Sequence, residues 1–243
     1  MDDSRILGVA RLGAVDYAAA LELQQAIVAA RMRGAIGDLL LLLEHPHVFT
    51  LGRGADERFL TRRLADVPIH RVSRGGQVTY HGPGQLVGYP IIRLDGAERD
   101  VTRYLRKLEA VIIAALARLE IAAGRRAGLT GVWAGARKIA SIGVGIRRWT
   151  TLHGFALNVA TDLAYFDAIV PCGIAGCQMT SVAREGRPEV SVNRMAELIA
   201  PAFADQFGYA ALQPISADRL WALLESAAHG CEARSGSELN DDG

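Results

Sequence analysis

The chain has 243 residues, a formal net charge of +1 and 50% hydrophobic residues, with a mean hydropathy of +0.16. These values predict one globular domain over residues 1–229 and exclude the strongly basic surface of a nucleic-acid-binding protein. The longest apolar run is too short to cross a bilayer, the N-terminus has no leader pattern, and the three cysteines lack framework spacing. We therefore expect a cytoplasmic protein with no membrane association.

In the first half of the chain, helical spacing of apolar residues predicts a helix over residues 15–33, capped by Asp16. A second helix is expected from an Asp100 cap to about residue 123, where Gly124 ends it. Short apolar and alternating runs predict strands over residues 38–44, 48–52, 69–73, 77–81 and 86–94.

In the second half, strands are expected over residues 131–134, 138–149 and 152–159, followed by a short helix over 162–169. Two further helices are expected over 191–207, which Pro201 kinks or divides, and over 216–229. Residues 230–243 have the composition of a disordered tail. The pattern predicts an α+β fold with a mixed β-sheet packed with helices.

Residues 74–90 form a glycine-rich segment, Arg-Gly-Gly-Gln-Val-Thr-Tyr-His-Gly-Pro-Gly-Gln-Leu-Val-Gly-Tyr-Pro. Glycine adds no packing and costs backbone entropy, so such a run is useful where backbone must approach a ligand closely. The alternative is a plain hairpin with a Gly-Pro-Gly turn. A second glycine-rich stretch follows, where Ser141, Gly143 and Gly145 alternate with apolar residues and leave one strand face nearly bare.

Cys172 stands between Pro171 and Gly173. A lone cysteine is most often an inert small hydrophobe, whereas a nucleophilic thiol needs a neighbour that favours the thiolate. The candidates are Lys138, His81 and His153. Only two of the chain's 27 basic residues are lysines, and lysine, unlike arginine, can release a proton near neutral pH.

Four motifs of the second half occur in a fixed order: Gly131-Val132-Trp133, the run from Arg137 to Gly143, the run from His153 to Val159, and the run from Ile169 to Ile174. With the glycine-rich segment and the blocks at 44–46 and 50–53, they resemble the signature of the octanoyltransferases of lipoate biosynthesis. The resemblance covers about residues 39–181. It implies the fold that this family shares with the biotin and lipoate protein ligases.

The resemblance also implies roles for individual residues. The cysteine of the family carries the acyl group as a thioester and the lysine activates the thiol, which here gives Cys172 and Lys138. The implied substrate contacts are Arg74, Gly75, Gly76, Gln77, Val78, Thr79, Tyr80, His81, Ser141, Ile142, Gly143, Gly154, Phe155 and Ala156. His153 is expected to line the site. Backbone N–H groups at Gly75, Gly76 or Gly173 are candidates for stabilising an oxyanion.

The implied activity is transfer of octanoyl from octanoyl-acyl carrier protein to a lysine of lipoyl domains, without a cofactor or metal. The acceptors would be the acyltransferase subunits of 2-oxo acid dehydrogenases and the glycine cleavage H protein. The alternatives are a cysteine-dependent amidotransferase between lipoyl-type domains, an ATP-dependent lipoate-protein ligase, and a non-catalytic acyl-binding protein.

A histidine pair and an arginine-dense stretch each allow both a structural and a functional interpretation. His45-Pro46-His47 has the spacing of a metal pair, but the intervening proline favours a loop turn. Six arginines lie within residues 53–74. They form either a solvated face or a docking surface for an acidic carrier protein.

Overall fold

The computed structural model describes residues 5–174 and 176–235, except for the side chains of Cys172 and of residues 227–235. Ten strands form two sheets, and four α-helices pack on them. The strands are β1 (Ile6–Ala14), β2 (Asp38–Glu44), β3 (Val48–Leu51), β4 (Ile69–Arg71), β5 (Val78–His81), β6 (Gln85–Ile91), β7 (Val132–Ala134), β8 (Arg137–Arg147), β9 (Thr150–Asn158) and β10 (Ala211–Ile215). The helices are α1 (Tyr17–Met32), α2 (Val101–Ala117), α3 (Val192–Phe207) and α4 (Ala217–Ser235).

The larger sheet has seven strands in the order β10-β1-β2-β6-β9-β8-β7. The pairs that β1 makes with β10 and with β2 are parallel, and all others are antiparallel, so the sheet is mixed as expected. A smaller sheet has the order β4-β3-β5. The short strand β5 directly follows residues 74–77, and these residues lie beside the larger sheet.

Both faces of the larger sheet are covered. One face packs with α2 and α3 in a cluster that contains Leu108, Ile112 and Phe203. The other packs with α1 in a cluster that contains Leu23 and Ile27. Burial of this apolar surface is the main source of the stability of the fold.

The helix starts follow the expected caps. Asp16 accepts hydrogen bonds from the N–H groups of Ala18 at 2.8 Å and Ala19 at 3.2 Å, and the Asp100 side chain accepts one from the Arg103 N–H at 3.0 Å. A side-chain oxygen in this place satisfies N–H groups that have no partner inside the helix.

Three expected helix features are wrong. The second helix ends at Ala117, short of residue 123, because Glu120 takes a left-handed conformation (φ 58°) that turns the buried Ile121 back towards the core. Of the two expected outcomes at Pro201, a kink or a division, the division is wrong, since α3 runs from Val192 to Phe207 through this exposed residue. The last helix continues beyond residue 229 to Ser235. Residues 236–243, the end of the expected tail, lie outside the described residues.

No helix within residues 5–174 and 176–235 combines the length and the apolar character that a membrane span requires.

Candidate active site

A cavity of about 220 Å³ lies between the glycine-rich segment and strands β8 and β9. Its lining brings together most of the residues that the sequence singled out. From that set it contains Arg74, Gly76, Gln77, Val78, Thr79, His81, Ser141, Ile142, Gly143, His153, Gly154, Phe155 and Ala156. Tyr17, Tyr89, Ile174 and the segment from Gly128 to Thr130 complete the wall.

The first four residues of the glycine-rich segment, 74–77, form a loop that packs on the nearly bare face of β8. We refer to these residues as the glycine-rich loop. The Gly75 N–H donates to the Val144 carbonyl at 2.9 Å, and a Cβ added at Gly143 would lie 3.0 Å from the Gly75 carbonyl oxygen. Gly143 is therefore needed for the close approach of two backbones. This contact explains the glycine at position 143.

Arg74 shapes this loop from inside. Its side chain is buried, and its guanidinium donates to the carbonyl oxygens of Gly75 at 3.0 Å, Gln77 at 2.9 Å and Thr50 at 2.7 Å. A planar guanidinium presents five N–H donors in a rigid fork, which suits carbonyls that lie in different directions, whereas a lysine carries its three donors on a single nitrogen. Its contacts thus join the glycine-rich loop to β3.

Two predicted contacts do not line the cavity. The Tyr80 side chain points to the opposite face of β5, where it stacks on Tyr165 and its hydroxyl lies 2.7 Å from the His47 Nδ1. Gly75 holds the loop against β8 and lies behind the cavity wall. Strand alternation explains Tyr80, because successive side chains point to opposite faces.

His81 is fixed as a neutral ring. Its Nδ1 lies 2.8 Å from the Gln85 Oε1, and the Gln85 amide in turn donates to the Asn158 Oδ1 at 2.9 Å. Complete burial lowers the pKa of His81 well below its usual value, and the neighbouring His45 and Arg74 lower it further. Near pH 7 this imidazole carries no charge.

His153 has a strained backbone. Its φ of 57° is left-handed, a conformation that is unusual for a side chain of this size. In this conformation its N–H donates to the Gln24 Oε1 of α1 at 2.9 Å. The buried Nδ1 of His153 has no hydrogen-bond partner among the described residues. Burial, with a contribution from Arg74, lowers its pKa to about 4.

Tyr17 and Tyr89 form a further aromatic wall that the sequence did not reveal, and His45 packs against both rings. The His45 Nδ1–H donates to the Val15 carbonyl at 2.6 Å, so its Nε2 accepts from the Tyr89 hydroxyl at 2.7 Å. Burial lowers the pKa of His45 to about 4 and raises that of Tyr17 to about 12. The block 44–46, which contains His45, was part of the resemblance to the octanoyltransferases, but no feature of the sequence indicated that His45 lies near the cavity.

The expected turn at residues 45–47 is present as a bend between β2 and β3. His45 and His47 both contact aromatic rings, His45 at Tyr17 and His47 at Tyr165. No cluster of three or more potential metal ligands occurs in the part of the chain that the structure describes.

Lys138 is fully buried near the start of β8. The Lys138 backbone pairs with the segment that follows Cys172. The Lys138 N–H donates to the Gln178 carbonyl at 2.8 Å, and the Lys138 carbonyl accepts from the Thr180 N–H at 2.9 Å. Its Nζ lies 5.0 Å from the centre of the Trp133 ring. The lysine therefore lies just behind the cavity wall formed by the segment from Gly128 to Thr130.

The Cys172 side chain lies outside the described residues, as does that of Cys231. The backbone places Cys172 in a short 3₁₀ turn, Pro171–Gly173. A Cβ added at the following Gly173 would lie 2.9 Å from the Phe59 Cε2 and 3.3 Å from the Gln77 Cγ. Ile174, two residues after the cysteine, lines the cavity. The turn is thus adjacent to both the glycine-rich loop and the cavity.

Three exposed arginines border the same turn. The Val170 N–H donates to the Phe59 carbonyl at 2.7 Å, which joins the segment containing Arg58, Arg62 and Arg63 to the start of the cysteine turn. Arg58 forms an exposed ion pair with Asp56.

Known proteins resemble this chain over most of its length. The model of the lipoyl protein ligase A/B catalytic domain matches residues 16–204. An octanoyltransferase of Solibacter usitatus is 50% identical over 206 residues, which cover 82% of this chain and 92% of that protein. An octanoyltransferase of Gloeobacter violaceus is 49% identical over 197 residues, covering 81% and 88%.

Solved structures agree on the fold. Lipoate-protein ligase A bound with ATP gives a TM-score of 0.67 at 17% identity and covers 92% of this chain and 93% of that one. The LipL1 protein of P. falciparum in complex with lipoate gives 0.68 at 10% identity, with 91% and 68% covered. These likenesses confirm the expected α+β fold, that of the lipoate-protein ligases.

Proposed function

The chain belongs to the octanoyltransferases within the lipoyl protein ligase A/B catalytic-domain family and is an acyltransferase, and from that premise we propose its donor, its acceptors and its mechanism. The donor is octanoyl-acyl carrier protein. The acceptors are lysines of lipoyl domains, in the acyltransferase subunits of 2-oxo acid dehydrogenases and in the glycine cleavage H protein. The reaction takes place in the cytoplasm, and Cys172 carries the octanoyl group between the two proteins.

One observation carries this proposal. Ile174, directly after the turn Pro171–Gly173, lines the same cavity as the glycine-rich loop and β8, the strand of Lys138, although these segments are far apart in sequence. The Phe155 and Ile142 side chains make part of its wall apolar, which suits a saturated acyl chain. A cysteine turn at such a cavity supports covalent capture of the chain.

In the first step Lys138, as a neutral amine, accepts the proton of the Cys172 thiol. The thiolate attacks the carbonyl carbon of the donor thioester, and the bond from that carbon to the carrier sulfur breaks. The carrier sulfur then takes the proton from the Lys138 ammonium. One thioester replaces another, so this exchange is close to balanced in free energy.

In the second step the amine of the acceptor lysine attacks the Cys172 thioester. An amide bond forms, the bond to the Cys172 sulfur breaks, and Lys138 passes the proton of the amine to the departing thiolate. The oxyanion of each step needs an N–H donor. The N–H groups of Gly75 and Gly173 already donate to the carbonyls of Val144 and Val170, so we assign this role to Gly76.

The donor docks at the exposed arginines beside the cysteine turn. Acyl carrier proteins are acidic, and Arg58, Arg62 and Arg63 lie on the segment whose backbone bonds to that turn. Opposite charge on the two surfaces would speed encounter and orient the thioester towards the cavity.

The mass of the intact protein after incubation with octanoyl-acyl carrier protein, in the absence of ATP, tests the proposal. We expect one added octanoyl group, removed by hydroxylamine, absent in Cys172→Ala and retained in the control Cys177→Ala. An adduct that persists in Cys172→Ala, or a strict need for ATP, overturns the proposal and favours a ligase. Reversible binding without any adduct indicates a non-catalytic acyl-binding protein.

A further inference from the structure

A buried carboxylate lies behind the Lys138 side of the cavity. Glu109 of α2 is fully buried. It accepts hydrogen bonds from the Arg106 Nη1 at 2.7 Å, the Arg125 Nε at 2.8 Å and the Gly131 N–H at 3.1 Å. A charge in this place costs stability unless several donors satisfy it. These three donors satisfy the Glu109 carboxylate and fix its position.

Two of the three bonds, those from Arg125 and Gly131, hold the two ends of one loop, residues 125–131. Just outside this loop, the Gly124 and Trp133 backbones exchange hydrogen bonds of 2.8 and 2.9 Å. Between these ties the loop makes no strand or helix. Its residues Gly128, Leu129 and Thr130 form part of the cavity wall. The position of that wall thus depends on how the ends of the loop are held.

The last residue of the loop also confines the lysine. Gly131 has a φ of 131°, and a Cβ added there would lie 2.6 Å from the Lys138 Cε and 3.2 Å from its Nζ. On another side, the Nζ lies 5.0 Å from the centre of the Trp133 ring. The amine therefore lies against the very peptide that Glu109 holds.

We propose that Glu109 is a positioning residue for acyl transfer, which acts by fixing loop 125–131 against Lys138. This inference rests on the proposed role of Lys138 as proton carrier. The carboxylate does not touch the substrate. It holds the Gly131 peptide, and that peptide limits the positions of the Lys138 amine and the shape of the adjoining wall.

The two arginines and the Gly131 N–H respond differently to loss of the carboxylate. The side chains of Arg106 and Arg125 are 42% and 44% exposed, so water can replace Glu109 as their partner. The Gly131 N–H is buried and needs another acceptor. Its loop would then have to shift, and Lys138 would lose one wall of its site.

Glu109→Gln keeps an oxygen for the Gly131 N–H but removes the charge, whereas Glu109→Leu removes both. Glu98→Gln is the control: Glu98 lies in the short 3₁₀ turn Gly96–Glu98 before α2 and pairs with Arg103 and Lys107. We expect Glu109→Leu to slow formation of the octanoyl-enzyme about 10- to 100-fold, Glu109→Gln to slow it less, and the control to match wild type. Circular dichroism reports whether each variant folds.

A double-mutant cycle with Lys138→Ala separates positioning from general destabilisation. If Glu109 acts through Lys138, Glu109→Leu has little further effect on the residual rate in Lys138→Ala. Equal slowing in both backgrounds, or unchanged rates in both Glu109 variants, overturns the inference. If Glu109→Leu does not fold, the same cycle with Glu109→Gln decides. Failure of wild type to form any octanoyl-enzyme would instead reject the proposed function.

Discussion

The two ends of the cavity are built on different principles. At one end, His81 and His153 line the wall and His45 packs against Tyr17 and Tyr89, and burial holds the pKa of each histidine below its usual range. At the other end, Lys138 lies between the Gly131 peptide and the Trp133 ring, on the strand that pairs with the segment after the cysteine turn. Burial keeps the histidines neutral near pH 7, and under the proposed function the lysine end performs the proton transfers. Residue type alone therefore does not distinguish the two ends, because their surroundings differ.

Replacement of Lys138 gives the largest expected effect. Because arginine keeps its proton, Lys138→Arg should be nearly as slow as Lys138→Ala, both about 10²- to 10⁴-fold below wild type in octanoyl-enzyme formation. Single-turnover rates measure this directly, with circular dichroism to verify folding. Substantial rescue by arginine would mean that Lys138 supplies only a fixed positive charge.

The second-largest expected effect is a loss of folding stability at acidic pH, caused by the buried histidines. The folded pKa of His45 and of His153 is about 4, below the value near 6.5 of an unfolded chain. The unfolded state therefore binds more protons between these values, and stability is lost as pH falls from about 6.5 towards 4. Each histidine contributes a slope of up to about 1.4 kcal/mol per pH unit.

Urea unfolding at several pH values between 5 and 7.5 measures this slope. We expect it to be smaller in His45→Gln and in His153→Gln than in wild type, and stability to be nearly independent of these groups above pH 7. A slope unchanged in both variants would show that these rings are not the groups that titrate.

Charge reversal at the proposed docking surface should have the smallest effect on octanoyl capture. Changing Arg58, Arg62 and Arg63 to glutamate should weaken octanoyl capture from the carrier protein about tenfold at low salt, and added salt should reduce capture by wild type in the same way. A small octanoyl thioester should still react normally, since the cavity is unchanged. Equal loss with both donors would indicate damage to the fold or the site.

The sequence was most informative where local pattern and structure agree. The strand Asp38–Glu44 has the expected bounds, because a continuous apolar run in a strand buried on both faces leaves little freedom of register. The Asp16 cap and most of the cavity lining were also predictable. These features depend on residues close together in the chain, or on a motif whose spacing is specific.

What could not be predicted depends on contacts between distant residues. Strand β10 pairs only with β1, from Ile6 with Ala211 to Ala10 with Ile215, and its exposed, proline-containing sequence shows no strand pattern. Glu109 is one charged residue among several in an amphipathic helix, and its role is visible only once Gly131 lies beside it. The strained φ of His153 likewise becomes understandable only with Gln24 from α1.

Passage of octanoyl through Cys172 can be followed by isolating the octanoyl-enzyme, mixing it with a lipoyl domain and recording both masses in time. If the octanoyl-enzyme is the intermediate, it loses octanoyl at least as fast as steady-state turnover, while the lipoyl domain gains an equal amount. Retention of the adduct by the enzyme while turnover continues would contradict passage through Cys172.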